Sequence, residues 1–119
     1  MPVSPARLKE LQARHRERNW ERLVEYLGTH PCVDCGEADI IVLEFDHLPE
    51  FEKRFEIGRA VVASTRSWKL ILSEIERCEV VCANCHRRRG ARRGQFRKFQ
   101  RSSALRERPR HDSNARPIG

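Results

Sequence analysis

The segment Cys78-Glu79-Val80-Val81-Cys82-Ala83-Asn84-Cys85-His86-Arg87-Arg88-Arg89 contains a C-x-x-C pair, Cys82 and Cys85, matched upstream by Cys32-Val33-Asp34-Cys35. Two thiolates three residues apart on a tight turn both reach one tetrahedral zinc at about 2.3 Å, and two such knuckles complete a Cys₄ site. The spacing therefore predicts a structural Zn²⁺ held by Cys32, Cys35, Cys82 and Cys85. A redox motif fits less well, because it calls for one C-x-x-C opening a helix after a buried strand. Between the knuckles lie 46 residues, more than a short zinc ribbon needs, so an insert is expected there. Cys78 stands outside both pairs and reads as a small buried hydrophobe.

Working outward, the chain has 119 residues, 39% hydrophobic and 34% charged. That is enough for one domain with a thin core, the size class in which a metal staple matters most. No apolar run approaches the roughly 20 residues of a bilayer span, and no secretory h-region follows Met1. No membrane partner is expected, and a reducing cytoplasm, bacterial or that of a phage-infected host, is the expected location, where disulfides are disfavoured. Charge is unevenly spread. Met1 to His86 carries 12 basic against 15 acidic residues, whereas Arg87 to Gly119 carries 12 basic residues against Glu107 and Asp112. Eleven of those 12 are arginines, whose guanidinium forks match phosphate geometry, so DNA is the partner this end predicts. A solvated basic tail is the plainer alternative.

The expected elements are few. Ser4 and Pro5 open a helix that runs to Leu27, with Gly28 past its end. Its apolar positions are Leu8, Leu11, Trp20, Leu23, Val24 and Leu27, interrupted at His15-Arg16-Glu17-Arg18. Ile40 to Phe45 reads as a strand ending at Asp46-His47. Phe51 to Ile57 reads as a ragged strand or a turn. Ser67 caps a second helix with Leu70, Ile71, Leu72 and Ile75 apolar and Glu74 and Glu76 outward. Val80-Val81 steps into the second knuckle, and a basic helix opens past Cys85. The divisions are an N-terminal helix (1–29), a zinc-stapled α+β domain (30–100) and a disordered basic tail (101–119).

A zinc joining the knuckles would draw His86 toward the strand end that carries Asp46 and His47. One carboxylate and one imidazole, Asp46 and His86, make a sparse divalent-cation site with positions left for water and a phosphate oxygen. His47 would remain as a base of suitable basicity for taking a proton from water. Each member also has a plainer reading: Asp46-His47 as a turn device, His86 as a surface histidine.

Cys32-Val-Asp-Cys35, Leu43-Glu-Phe-Asp46-His47 and Cys82-Ala-Asn-Cys85-His86-Arg87-Arg88 together resemble the zinc-containing HNH endonucleases of phages and bacteria, over roughly residues 30 to 93. The resemblance implies a ββα-metal fold, DNA phosphodiester hydrolysis, His47 as general base, and Asp46 and His86 on a catalytic Mg²⁺, Mn²⁺ or Ni²⁺. It also implies the separate Cys₄ zinc. The family's middle Asn has no counterpart beside Cys78, where the chain reads Glu76-Arg77-Cys78-Glu79; Asn84 is the nearest substitute. Arg87, Arg88, Arg89, Arg92 and Arg93 are the expected phosphate contacts, made to backbone without base readout, so nicking or weakly specific cleavage is expected. The rival expectation is a non-enzymatic zinc-knuckle DNA-binding or adaptor protein. A homodimer through Trp20, Leu23, Val24 and Leu27, or membership of a phage packaging or repair complex, fits either reading.

Overall fold

The computed structural model describes residues 2–95. The expected basic tail, 101–119, lies outside the described residues. Helix α1 spans Pro5–Gly28, with the Ser4 side chain accepting a hydrogen bond from the Arg7 backbone N–H at 3.1 Å. Strand β1 is Leu43–His47, helices α2 and α3 are Ile57–Ala63 and Trp68–Ile75, β2 is Cys78–Cys82 and α4 is Ala83–Arg92. The fold is α+β: four helices and a two-stranded antiparallel sheet among the described residues. None of these helices is long and apolar enough to cross a membrane.

The strands pair Leu43 with Cys82, Phe45 with Val80 and His47 with Cys78. Alternation along β1 places Glu44 and Asp46 on one face, and Phe45 and His47 on the other. β2 runs straight into α4, with Cys82 as its N-cap residue: its sulfur accepts from the Cys85 N–H at 3.4 Å. The opposite end of α4 closes on Gly94 at φ +83°, with Gln95 N–H on the Gly90 carbonyl and Gly94 N–H on the Ala91 carbonyl. Gly is favoured there because a side chain strains a left-handed helix stop. The helix thus starts earlier than expected, at Ala83, and runs through Gly90.

Two buried clusters share their edges. Leu23, Ile57, Ala60, Val61, Ile71 and Ile75 form one, under α1, α2 and α3. Cys32, Leu43, Val80, Val81, Cys82 and Cys85 form the other, around the knuckles. Tyr26, Leu27 and Phe45 pack against both and join them. Leu8 and Leu11 in the N-terminal half of α1, and Trp20 beyond its midpoint, are exposed, so the expected apolar stripe contributes to the core through Leu23 and Leu27. Leu23 is inside that core, which removes it from the dimer surface expected on this helix.

Three local expectations are corrected. Ile40–Val42 is a 3₁₀ turn rather than the start of a strand. The Asp39 carboxylate accepts from the Ile41 N–H at 3.0 Å, and this capping bond favours a turn despite the β-branched run. Ile41 is accordingly 87% exposed. Of the two alternatives for Phe51 to Ile57 the strand falls: the chain turns, with Phe51 N–H on the Leu48 carbonyl at 3.1 Å, and leads into an unexpected helix, α2, whose buried Ile57, Ala60 and Val61 have helical i, i+3, i+4 spacing. Glu74, expected to face outward, is fully buried at 0% exposure.

Candidate metal centre and cleft

The Sγ atoms of Cys32, Cys35, Cys82 and Cys85 all lie within 4.8 Å of one another. Tetrahedral coordination at about 2.3 Å requires sulfurs about 3.8 Å apart, and Cys35 Sγ to Cys82 Sγ is 3.7 Å. The donor set and its spacing fit a structural zinc. Gly36, at φ +83°, turns the first knuckle, and its N–H binds the Cys32 carbonyl at 2.8 Å. Val33 N–H on the Val80 carbonyl at 2.9 Å ties that knuckle to β2. Burial pushes the Cys32 thiol up, but hydrogen bonds from the knuckle backbone and from Cys35 outweigh it and bring it to about 7. Burial and neighbouring sulfurs push Cys35 and Cys85 upward. Thiols this close cannot all ionise without a cation to take up the charge. Cys78 lies outside the cluster and donates to the Glu74 carbonyl at 3.4 Å.

The acidic face of β1 looks onto α4. His86 Nδ1 is 2.6 Å from Glu44 Oε1, and its Nε2 is 3.5 Å from Asp46 Oδ1. With Nδ1–H on Glu44, Nε2 turns toward Asp46 either with a second proton or with a lone pair for a cation shared with Oδ1. Two donors 3.5 Å apart fit one divalent ion at oxygen and nitrogen distances of about 2.1 Å. Asp46 and His86 are therefore brought together as expected. Asp46, 3% exposed, also holds two arginines. Arg89 Nη1 donates to Oδ2 at 2.7 Å, and Arg93 donates to Oδ1 at 2.8 Å and Oδ2 at 2.9 Å. Burial pushes the Asp46 carboxyl up, but these guanidiniums outweigh it and hold it below its ordinary value. Arg89 further donates to both oxygens of Asp34, at 2.7 and 2.8 Å, and lies 2.8 Å from Glu79.

Of the five arginines expected to meet phosphate, Arg89 and Arg93 bind carboxylates of the domain, and Arg87, Arg88, Arg92 and Arg93 are exposed. Arg88 also approaches Cys85 Sγ at 3.8 Å.

His47 lies on the other face of β1. Its Nε2 is 2.9 Å from Glu74 Oε2, whose carboxylate also accepts from the Arg54 backbone N–H at 3.0 Å and from Arg54 Nε at 2.6 Å. Burial pushes the Glu74 carboxyl up, but the bonds from Arg54 and His47 outweigh it and keep it below its ordinary value. An ionised Glu74 accepts a hydrogen bond from Nε2–H, so Nδ1 is left as the acceptor nitrogen of His47. Although His47 lies on one face of β1 and His86, from α4, approaches the other, both line one cleft of about 600 Å³, with Trp20, Leu27, Ile41 and Phe45 among its apolar walls. Asn84 lines a neighbouring cleft with Glu44, His86 and Arg87, away from the residues that hold His47. Glu74, which holds the candidate residue His47, is the member of this group that the sequence does not reveal. The signal for it is a carboxylate one residue before Ile75, on a helix whose periodicity predicts a purely apolar buried face.

No family model matches the chain, and neither the curated proteins nor the solved structures contain a match to it.

Proposed function

We propose that this protein is a metal-dependent endonuclease of the HNH type that hydrolyses DNA phosphodiester bonds, nicking or cutting with little sequence preference. The observation that carries the reading is the position of His86. Glu44 orients its ring, Nε2 and Asp46 Oδ1 are 3.5 Å apart, and the cleft it lines also contains His47.

In this reading Asp46 and His86 hold a divalent ion, Mg²⁺, Mn²⁺ or Ni²⁺. When bound, that ion supplies Lewis-acid stabilisation of charge on the phosphate and the leaving oxygen. His47 takes the proton from the attacking water on Nδ1, and Glu74 keeps its tautomer fixed through Nε2. Glu74 is thus a positioning residue, filling by charge the role that the absent Asn would fill by neutral hydrogen bonding. The zinc held by the cysteines fixes the start of α4 against β2 and so sets where His86 stands. Arg87, Arg88 and Arg92 meet backbone phosphates, which positions a duplex without reading it.

The clamping of Asp46 by two guanidiniums favours a second reading, a non-enzymatic zinc-knuckle DNA-binding or adaptor protein. Conversion of supercoiled plasmid to nicked or linear form with Mg²⁺ or Mn²⁺ separates the two. The native chain is expected to cleave, and His47→Ala with zinc retained to lose about 10²- to 10⁴-fold in rate. Equal cleavage by both would remove His47 as the base. DNA binding without cleavage by either would favour the binding module.

A further inference from the structure

We propose that Arg93 couples DNA binding to metal binding: it occupies Asp46 in the DNA-free protein and exchanges that carboxylate for a substrate phosphate, opening Asp46 to the divalent ion. The inference rests on the endonuclease reading and names the regulation of that same site. Arg93 gives Nη1 to Asp46 Oδ1 and Nη2 to Oδ2, so its fork covers both oxygens. Oδ1 is also the oxygen nearest His86 Nε2, at 3.5 Å. A cation shared by those two atoms would stand against the guanidinium, with like charges facing each other at contact distance.

The two arginines differ in how firmly they are held. Arg89 is 12% exposed at its side chain and fastened to Asp34, Asp46 and Glu79. Arg93 is 30% exposed, donates both terminal nitrogens to the single carboxylate of Asp46, and sits at the C-cap of α4 beside Gly94. A phosphate presents the same bidentate oxygens as a carboxylate, so the fork can change partner without losing its hydrogen bonds. The exchange also leaves Asp46 with its Arg89 partner, so the buried carboxylate is never left without a counter-charge. Ordering the events this way keeps the hydrolytic ion off the protein until a phosphate is present.

The test is Mn²⁺ binding to the zinc-loaded full chain, read from the electron paramagnetic resonance signal of free Mn²⁺. It is made with and without a short mixed-sequence duplex, and protein-free duplex serves as the control. The native chain is expected to bind Mn²⁺ about tenfold more tightly with duplex, inside the usual range of coupling between sites. Arg93→Gln is expected to bind with the tighter affinity without duplex and to gain less than about twofold from adding it. Asp46→Asn should lose the site in both conditions. Equal affinity of the native chain with and without duplex would overturn the coupling and leave the metal site standing. No Mn²⁺ bound by any form, with DNA bound, would overturn the endonuclease reading beneath it. The native-chain comparison needs no variant, so a folding defect in Arg93→Gln would not shelter the proposal.

Discussion

At the N-terminal end of α4 four sulfurs lie within 4.8 Å of one another, buried or half-buried, with Arg88 3.8 Å from one of them. Near its C-terminal end a buried carboxylate, Asp46, is already matched by Arg89 and Arg93. Both are buried clusters of anionic donors, but the first lacks the cationic charge that four thiolates need and the second carries its own. The first is therefore expected to need a metal to hold the fold, whereas the second is closed by its own arginines and, in the reading proposed above, would admit a metal only by exchange. The two metals of the proposed enzyme accordingly have different standing. In that proposal zinc belongs to folding, and the second ion to the reaction cycle.

The largest effect should come from breaking the first cluster. Cys35→Ser, or a chelator strong enough to strip zinc, is expected to abolish cooperative thermal unfolding of the whole chain. Structural zinc in small domains binds with about 10–16 kcal/mol, comparable with the total stability of about 5–15 kcal/mol. Near-UV circular dichroism and a melt, followed with zinc content, provide the measure. An unchanged melt after zinc loss would make the sulfur end as self-sufficient as the arginine end and end the contrast.

Substitution on α4 sharpens the other half of the comparison. Arg89→Met leaves Asp34 and Glu79 without this partner and should cost about 3 kcal/mol in urea unfolding, at the lower edge for buried pairs because Arg93 still covers Asp46. Its effect on the salt dependence of DNA binding should be small. Arg92→Ala should do the reverse: stability within about 0.5 kcal/mol of the native chain, and a logarithmic salt slope reduced by about 0.9. If Arg89→Met reduced the slope and left stability intact, the assignment of these arginines to domain and to phosphate would be inverted.

The sequence made the sulfur end legible because metal ligation leaves a spacing signature that tertiary context does not alter. Helices α1 and α3 were equally legible, since Ser4 and Ser67 both accept backbone N–H bonds at their first turns. The strand was displaced by three residues because Asp39, a side-chain competitor for backbone bonding, captured Ile41. Nothing in the order of residues tells which arginines meet carboxylates. Arg89 and Arg92 look alike on paper, and only the crossing of α4 over β1 separates them. Asp46 and His47 were recognisable as a chemical pair, but strand alternation sends them to different faces, and their partners come from different helices. Glu74 was obscured for a related reason: helical periodicity marks its buried position as apolar, whereas the demand for a carboxylate comes from Arg54 and His47, 20 and 27 residues away.

The effect of pH concerns the face of β1 opposite Asp46. The Glu74 carboxyl is held below its ordinary value in the folded protein. A carboxylate depressed by folding contributes stability that is fully present above its unfolded value, near pH 4.3. That contribution is lost as pH falls below this value through the folded one, because the unfolded chain then binds the proton first. Glu74→Gln removes the charge that Arg54 and His47 share, at a cost of about 1–3 kcal/mol at neutral pH. It should also flatten the acid limb of a plot of urea midpoint against pH. The limb should not disappear, because Asp46 and Asp34 are depressed by their own arginines and titrate in the same direction. Parallel native and variant curves would mean that Glu74 is buried without being charged. His47 would then lose the ionic partner that fixes its tautomer, and the case for Nδ1 as the accepting nitrogen would fall with it.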